Sequence, residues 1–287
     1  MRIPFIGRFF RGGPVVPVLR LSGHIGAVTP LRPGLSLATL AGSIQRAFGT
    51  KGAKAVAIQI NSPGGSAAQS LLIYKRIRDL ADEKDLPVYV FAEDVMASGG
   101  YLIALAGDEI YVNDASIVGS IGVVSAGFGF DKAMKRLGIE RRVYTAGKSK
   151  STLDPFQPEK EEDVKRLKAL QEDVHETFID LVKERRGRRI KDASADLFTG
   201  EFWSGRKAVE LGLVDGTSDI RSKMREMLGK KVRLRLITPK KGLFGRHIRD
   251  VFARGGETAE SGFARPSLAD DFISAVEARS LWSRFGL

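Results

Sequence analysis

The chain is 287 residues long and 43% hydrophobic, enough for one large domain or two small ones built on a real core. It has no cysteine, which excludes disulfides and thiolate metal sites, and no apolar run of the roughly 18–20 residues that a membrane-spanning helix needs. Its 46 Lys and Arg against 34 Asp and Glu leave a net charge of +12, a balance that favours anionic partners over neutral ones.

Residues Met1–Pro14 read as a loose basic-aromatic tail closed by Gly12-Gly13-Pro14. The tail has no continuous apolar stretch of the kind a cleavable signal peptide carries, so the expected location is the cytoplasm, with neither leader nor transmembrane anchor. Val15–Leu21 is β-branched and apolar and is the first expected strand. Ala55–Ile60 is an unbroken apolar run ended by Asn61-Ser62-Pro63-Gly64-Gly65, the pattern of a buried parallel strand. Ser66–Ala81 has helical spacing, Pro87–Ala92 repeats the strand signal, and Ser98–Ala106 reads as a second helix. Strand-turn-helix units in series predict an α/β fold with crossover connections.

Glu109–Val112 and Ile117–Val124 are expected as short strands around the small-residue turn Val118-Gly119-Ser120-Ile121-Gly122, and Glu140–Thr145 as another. The longest helix is predicted over Pro158–Arg186. Its apolar stripe is Val164, Leu167, Leu170, Val174, Phe178 and Leu181, with acids at its start, bases at its end and Gly187 as the cap. Ser204–Leu211 is a further short helix. Beyond it, Ser218–Leu228 is expected to be helical, Val232–Ile237 a strand, Gly255–Pro266 a linker, and Leu268–Phe285 an amphipathic helix. Between Arg221 and Arg249 eleven basic residues face one acid, Glu226, so the charge surplus sits in this C-terminal extension.

Ser98 is the residue with most chemical promise. A serine hydroxyl is inert at neutral pH without a base, and a serine at a helix start is ordinarily only a cap. Here two glycines follow it, and Gly65 lies at the end of the preceding strand. Adjacent parallel strands ending at one sheet edge would bring the N–H groups of Gly65 and Gly99 together as an oxyanion hole beside Ser98. The three histidines all read as structural: His24 lies about a turn from any site, His175 falls off its helix stripe into solvent, and His247 belongs to the basic extension. That leaves lysine as the base, and Lys150 in Gly147-Lys148-Ser149-Lys150-Ser151 is the leading choice. It would have to be desolvated to work near neutral pH, with Pro155 and Phe156 at hand as an apolar wall. A phosphate loop is the competing reading of Gly147-Lys148-Ser149. It is set aside because Arg142 stands where that motif needs its first glycine. No His/Asp/Glu cluster has metal-ligand spacing, and no cofactor is implied.

Asn61-Ser62-Pro63-Gly64-Gly65, Ala97-Ser98-Gly99-Gly100-Tyr101, Val118-Gly119-Ser120-Ile121-Gly122, Gly147-x-x-Lys150 and Gly205-Arg206-x-Ala208-x-x-x-Gly212-Leu213-Val214-Asp215 together resemble the S49 peptidases, the signal peptide peptidase A and SohB-like serine proteases, over about Val15 to Asp215. The resemblance implies a Clp protease/crotonase-like twisted α/β sheet with flanking helices. It implies Ser98 as nucleophile, Lys150 as general base, Ser120 as the hydroxyl that bonds the lysine, and Gly65 as the oxyanion glycine. Many members of that family carry an N-terminal transmembrane anchor, where the reading of this sequence expects only the basic-aromatic tail. Single-domain members are expected to form a ring of eight subunits with shared sites.

The expected organisation is therefore a tail over 1–14, a peptidase domain over 15–218 and a basic extension over 219–287. The partners expected are a peptide or polypeptide substrate, such as remnant signal peptides or misfolded chains, and further copies of the chain. The basic-aromatic tail adds peripheral contact with an anionic membrane surface. Nucleic acid is disfavoured because Phe244 is the sole aromatic within the basic run. Two other readings stay open on the same residues: a crotonase-like acyl-CoA enzyme, and a non-catalytic scaffold that binds membrane or nucleic acid.

Overall fold

The computed structural model describes residues 13–26, 34–147, 149–190, 196–238, 276, 279–280 and 282–287. The expectations for the N-terminal tail, His247, the Gly255–Pro266 linker and most of the last helix lie outside these residues.

The fold is an α/β sheet with helices against it. Its strands are β1 (Val15–Ser22), β2 (Val56–Ser62), β3 (Val88–Ala97), β4 (Glu109–Val112), β5 (Ile117–Gly119), β6 (Phe202–Ser204), β7 (Gly216–Thr217) and β8 (Arg233–Leu236). The main order is β6-β5-β3-β2-β1-β8, with β4 also on β3 and β7 on β4. Every pair is parallel except β5 with β6. The helices are α1 (Leu37–Phe48), α2 (Ala67–Lys84), α3 (Gly99–Ala104), α4 (Asp131–Arg136), α5 (Glu161–Arg186), α6 (Gly205–Leu211) and α7 (Ile220–Leu228).

The strands sort their side chains by alternation. Leu19, Leu21, Ile58, Ile60, Val88 and Val90 face a large cluster with α1, α2, α3, α6 and the end of α5. Val16, Val18, Ala57 and Phe91 face the opposite way, onto Tyr111 and Met224 of α7. Burial on both faces is why β2 and β3 read as unbroken apolar runs. The α7–β8 segment, drawn from the basic extension, joins this sheet through the pairing of β8 with β1.

Three expectations are corrected. Residues 140–145 form no strand: they are exposed and have no ladder partner, and an extended segment without a neighbour leaves its backbone groups to water. The strand expected over Ile117–Val124 stops at Gly119, because Ser120 takes a positive φ of 54° and its N–H turns away to the carbonyl of Glu201 at 2.6 Å. The stripe of α5 is buried only at its C-terminal end, through Phe178, Leu181 and Val182, whereas Leu170 stands in solvent. Helix α1, about which the sequence reading was silent, is closed by a capping box between Ser36 and Thr39 and buries Leu40, Ile44 and Phe48.

Candidate active site

Two strand ends build the site. β3 and β5 pair through Ala97 and Gly119, so Ser98 and Ser120 are the next residues out along neighbouring strands. The Ser98 N–H bonds the Gly119 carbonyl at 2.7 Å, and the chain then turns into α3. Ser98 stands at the N-cap position of α3 without serving as its cap. It has φ 51° and ψ −123°, and its hydroxyl makes no capping bond. A non-glycine residue at positive φ is strained, and such strain collects where a side chain must be presented rather than packed.

The two glycines after Ser98 serve a tighter purpose than substrate approach. A Cβ on Gly99 would lie 2.4 Å from the Ser70 hydroxyl, and one on Gly100 would lie 2.9 Å from the Ser62 carbonyl. The elbow thus packs directly on the turn after β2 and on α2. From that turn, a Cβ on Gly64 would meet the Gly99 nitrogen at 2.9 Å and the Ser98 hydroxyl at 3.0 Å. The position of a Gly99 Cβ is in turn 3.5 Å from the Gly65 nitrogen. The juxtaposition of Gly65 and Gly99 expected from sequence is therefore present. Neither N–H donates to a backbone acceptor among the described residues, and the first amides of a helix have no intrahelical partner in any case.

Helix α3 is held by its own Tyr101. The ring is fully buried, its hydroxyl donates to the Leu213 carbonyl at 2.7 Å, and burial pushes its pKa well above the usual tyrosine range. This bond ties the serine elbow to the Gly212-Leu213-Val214-Asp215 turn. Asp215 in turn pairs with the buried Arg186 at 2.8 Å and accepts from the Ile110 N–H at 2.7 Å. Gly212 sits at φ 82°, where a Cβ would strike the Arg189 carbonyl at 1.8 Å.

Ser98, Ser120, Gly65 and Gly99 all line one cavity of about 750 Å³. Its walls mix polar groups with the apolar side chains of Leu102, Val123, Val124, Val174, Phe178 and Phe198. Two histidines line it as well, against expectation. His24 arrives because the chain reverses at Gly23 and bridges Ile25 to Gly65. A Cβ on Gly65 would lie only 2.6 Å from the His24 ring. His175 shares a helix face with Phe178 and Val182, so it is half-buried, with Nε2 3.1 Å from the Ile121 carbonyl.

Lys150 is elsewhere. It is exposed on the arm formed by residues 123–160, outside the lining of the Ser98 cavity, and Phe156 stacks on Phe130 rather than walling it in. The arm also leaves Val124, Phe128, Leu137 and Tyr144 between 68% and 91% exposed.

A serine held at an elbow opposite two amides without a backbone acceptor can carry out acyl transfer. The model of peptidase family S49 matches residues 81–233. The chain belongs to peptidase family S49. A putative signal peptide peptidase SppA of Enterococcus faecium is 31% identical over 165 residues, covering 58% of this chain and 47% of that protein. A protein of Brucella abortus described as the Na(+)/H(+) antiporter NhaA is 55% identical over 273 residues, 95% of this chain but 37% of the relative. The chain thus spans little more than a third of that relative's length. Among solved structures, a lysine-to-alanine mutant of the 1510-N membrane-bound stomatin-specific protease, in complex with a substrate peptide, superposes with a TM-score of 0.50 at 15% identity, covering 84% of this chain and 99% of that one. The S49 fold, a Clp/crotonase-like α/β sheet, is thereby present. Among the described residues no helix is long and apolar enough to cross a membrane.

Proposed function

We propose that the protein is a serine endopeptidase that hydrolyses peptides by a Ser-Lys dyad assembled between subunits. The observation that carries this reading is the separation of the two halves. Ser98 sits at its strained elbow with the Gly65 and Gly99 amides, while Lys150 stands on an exposed arm. A lysine serves as a base only once it is taken out of water. Docking of the arm on a second copy would desolvate the lysine, cover the exposed apolar residues and place the amine near Ser98 and Ser120.

In that assembly the Ser98 oxygen attacks the scissile carbonyl carbon and its proton passes to the neutral Lys150 amine. The carbonyl oxygen takes up negative charge against the Gly65 and Gly99 N–H groups. Collapse breaks the C–N bond, and the lysine ammonium returns the proton to the leaving amine. Water then attacks the acyl ester by the same proton route and Ser98 is released. Ser120, beside Ser98 at the sheet edge, would orient the lysine.

The names of the S49 relatives favour leftover signal peptides or other membrane-derived polypeptides as the substrate class. The antiporter name describes a protein of which this chain matches only a part, and the S49 match lies within that part.

Mixing tests the shared site. Ser98→Ala and Lys150→Ala chains are each expected to lose peptide hydrolysis by several orders of magnitude, and to recover part of it when unfolded together and reassembled. A monomer active at low concentration, or mixtures that stay inactive although they assemble, would refute the proposal.

A further inference from the structure

The C-terminal residues return to the site. Phe285 is buried against Val95 and Ala97 of β3, with Ile117 and Trp282 alongside, and stacks edge-on to Phe202 at 5.1 Å between ring centres. A turn with the Phe285 N–H on the Trp282 carbonyl at 2.9 Å fixes the backbone there. Phe202 is the register partner of Gly119, so this anchor lies beside the Gly119-Ser120 end of β5. Arg284, one residue before it, lines the cavity that contains Ser98, together with Thr199 and Gly200.

The charge of that cavity is one-sided. Among the described residues that line it, Arg284 is the one Lys or Arg, His24 and His175 are the other basic side chains, and there is no Asp or Glu. Arg284 forms no ion pair among the described residues. A guanidinium with no ion pair among the described residues is a fork for a planar oxyanion, and a cleft lined by one sign of charge concentrates the opposite sign.

We infer that Arg284 is a specificity-determining residue that selects substrates bearing a carboxylate near the scissile bond. The C-terminal segment then acts as a wall of the peptide cleft. The carboxylate has two sources, an Asp or Glu side chain within the peptide or the free α-carboxylate of a short fragment. The inference rests on Ser98 as the nucleophile of this cavity.

Fluorogenic peptides that differ only by Glu against Gln at successive positions around the cleaved bond supply the test. A further pair ends in a free acid or an amide. At one position, or at the terminus, the acidic member is expected to show kcat/KM about 10- to 100-fold higher, the range of a charge-assisted pair over a neutral one. Arg284→Gln should collapse that ratio, and Arg284→Glu should turn it towards a Lys-containing peptide. The guanidinium is exposed, so both variants should keep the native melting temperature. Equal turnover within every pair would overturn the inference. So would an Arg284→Gln enzyme that keeps the acidic preference, or one that shifts only the acidic limb of the pH profile. Labelling of Ser98 by a fluorophosphonate, measured in parallel, separates the two readings: a labelled enzyme without acidic preference sinks this inference alone.

Discussion

Gly65→Ala tests whether the turn after β2 is part of the catalytic apparatus or only a connection. A methyl there would lie 2.1 Å from the Ile25 carbonyl oxygen and 2.6 Å from the His24 ring, far inside the ~3.5 Å at which non-bonded atoms rest. Neither neighbour yields easily. Ile25 is bridged on both sides of the turn, accepting from Ser66 and donating to Gly64. The turn must therefore move by about 1 Å, and displacement of that size at a reacting centre costs roughly a hundredfold. If the Gly65 N–H leaves the oxyanion altogether, the loss in kcat reaches about a hundred- to a thousandfold. The φ of 139° adds strain of about 1–3 kcal/mol, or roughly 2–12 °C in melting temperature for a domain of this size. Gly52→Ala is the control: its φ is 75° but nothing lies within 4 Å of the new methyl, so it should lose stability and keep activity. Steady-state peptide hydrolysis and thermal melts of both variants decide the matter. A Gly65→Ala enzyme with native kcat/KM, or equal losses of activity in the two variants, would refute the reasoning.

Asp215→Asn should cost about 3–5 kcal/mol in urea unfolding, because it strands the Arg186 guanidinium, whose side chain is 2% exposed. Arg189→Ala, which removes the half-exposed second partner of Asp215, should cost under about 1 kcal/mol, and comparable losses in the two would contradict the assignment. Stability at high pH should fall through a window set by Tyr111 and Lys223. Burial and the bond to Glu109 push the Tyr111 phenol up to about 12, and the bond to Glu226 pushes the half-buried Lys223 ammonium up to about 12. Both pKa values are raised on folding, so the folded chain holds these protons longer. Their stabilisation is complete below about pH 10, where the unfolded groups are still protonated, and disappears as pH rises through about 12. Urea midpoints measured from pH 8 upward should drop less steeply for Tyr111→Phe than for the native chain, and parallel curves would refute this.

Much of the site was legible in the sequence because its geometry follows from chain-local rules. The apolar run of β2 ending in Gly64-Gly65 announces a buried parallel strand and the signal over Pro87–Ala92 announces its neighbour; β3 then runs on to Ala97, which brings Ser98 to the same edge. Helix α1 has a local signal as well, in Ser36 with Thr39 followed by Leu40, Ile44 and Phe48. The histidines were not legible. His24 is brought to Gly65 by an isolated bridge, and His175 gains a face from Phe178 and Val182; both depend on what packs opposite. Residues 140–145 show the converse, since a strand-like composition forms no strand where no neighbour offers a ladder.

By itself, then, the order of residues determined the α/β class, the serine elbow and the glycine turn that meets it, since each follows from periodicity and from the conformations that only glycine enters freely. Tertiary structure alone decided which side chains share the cavity. It placed Arg284 in the lining of the same cavity as a serine 186 positions earlier in the chain and left Lys150 on an exposed arm, because proximity across the chain is set by sheet order and docking, and neither is written in local spacing.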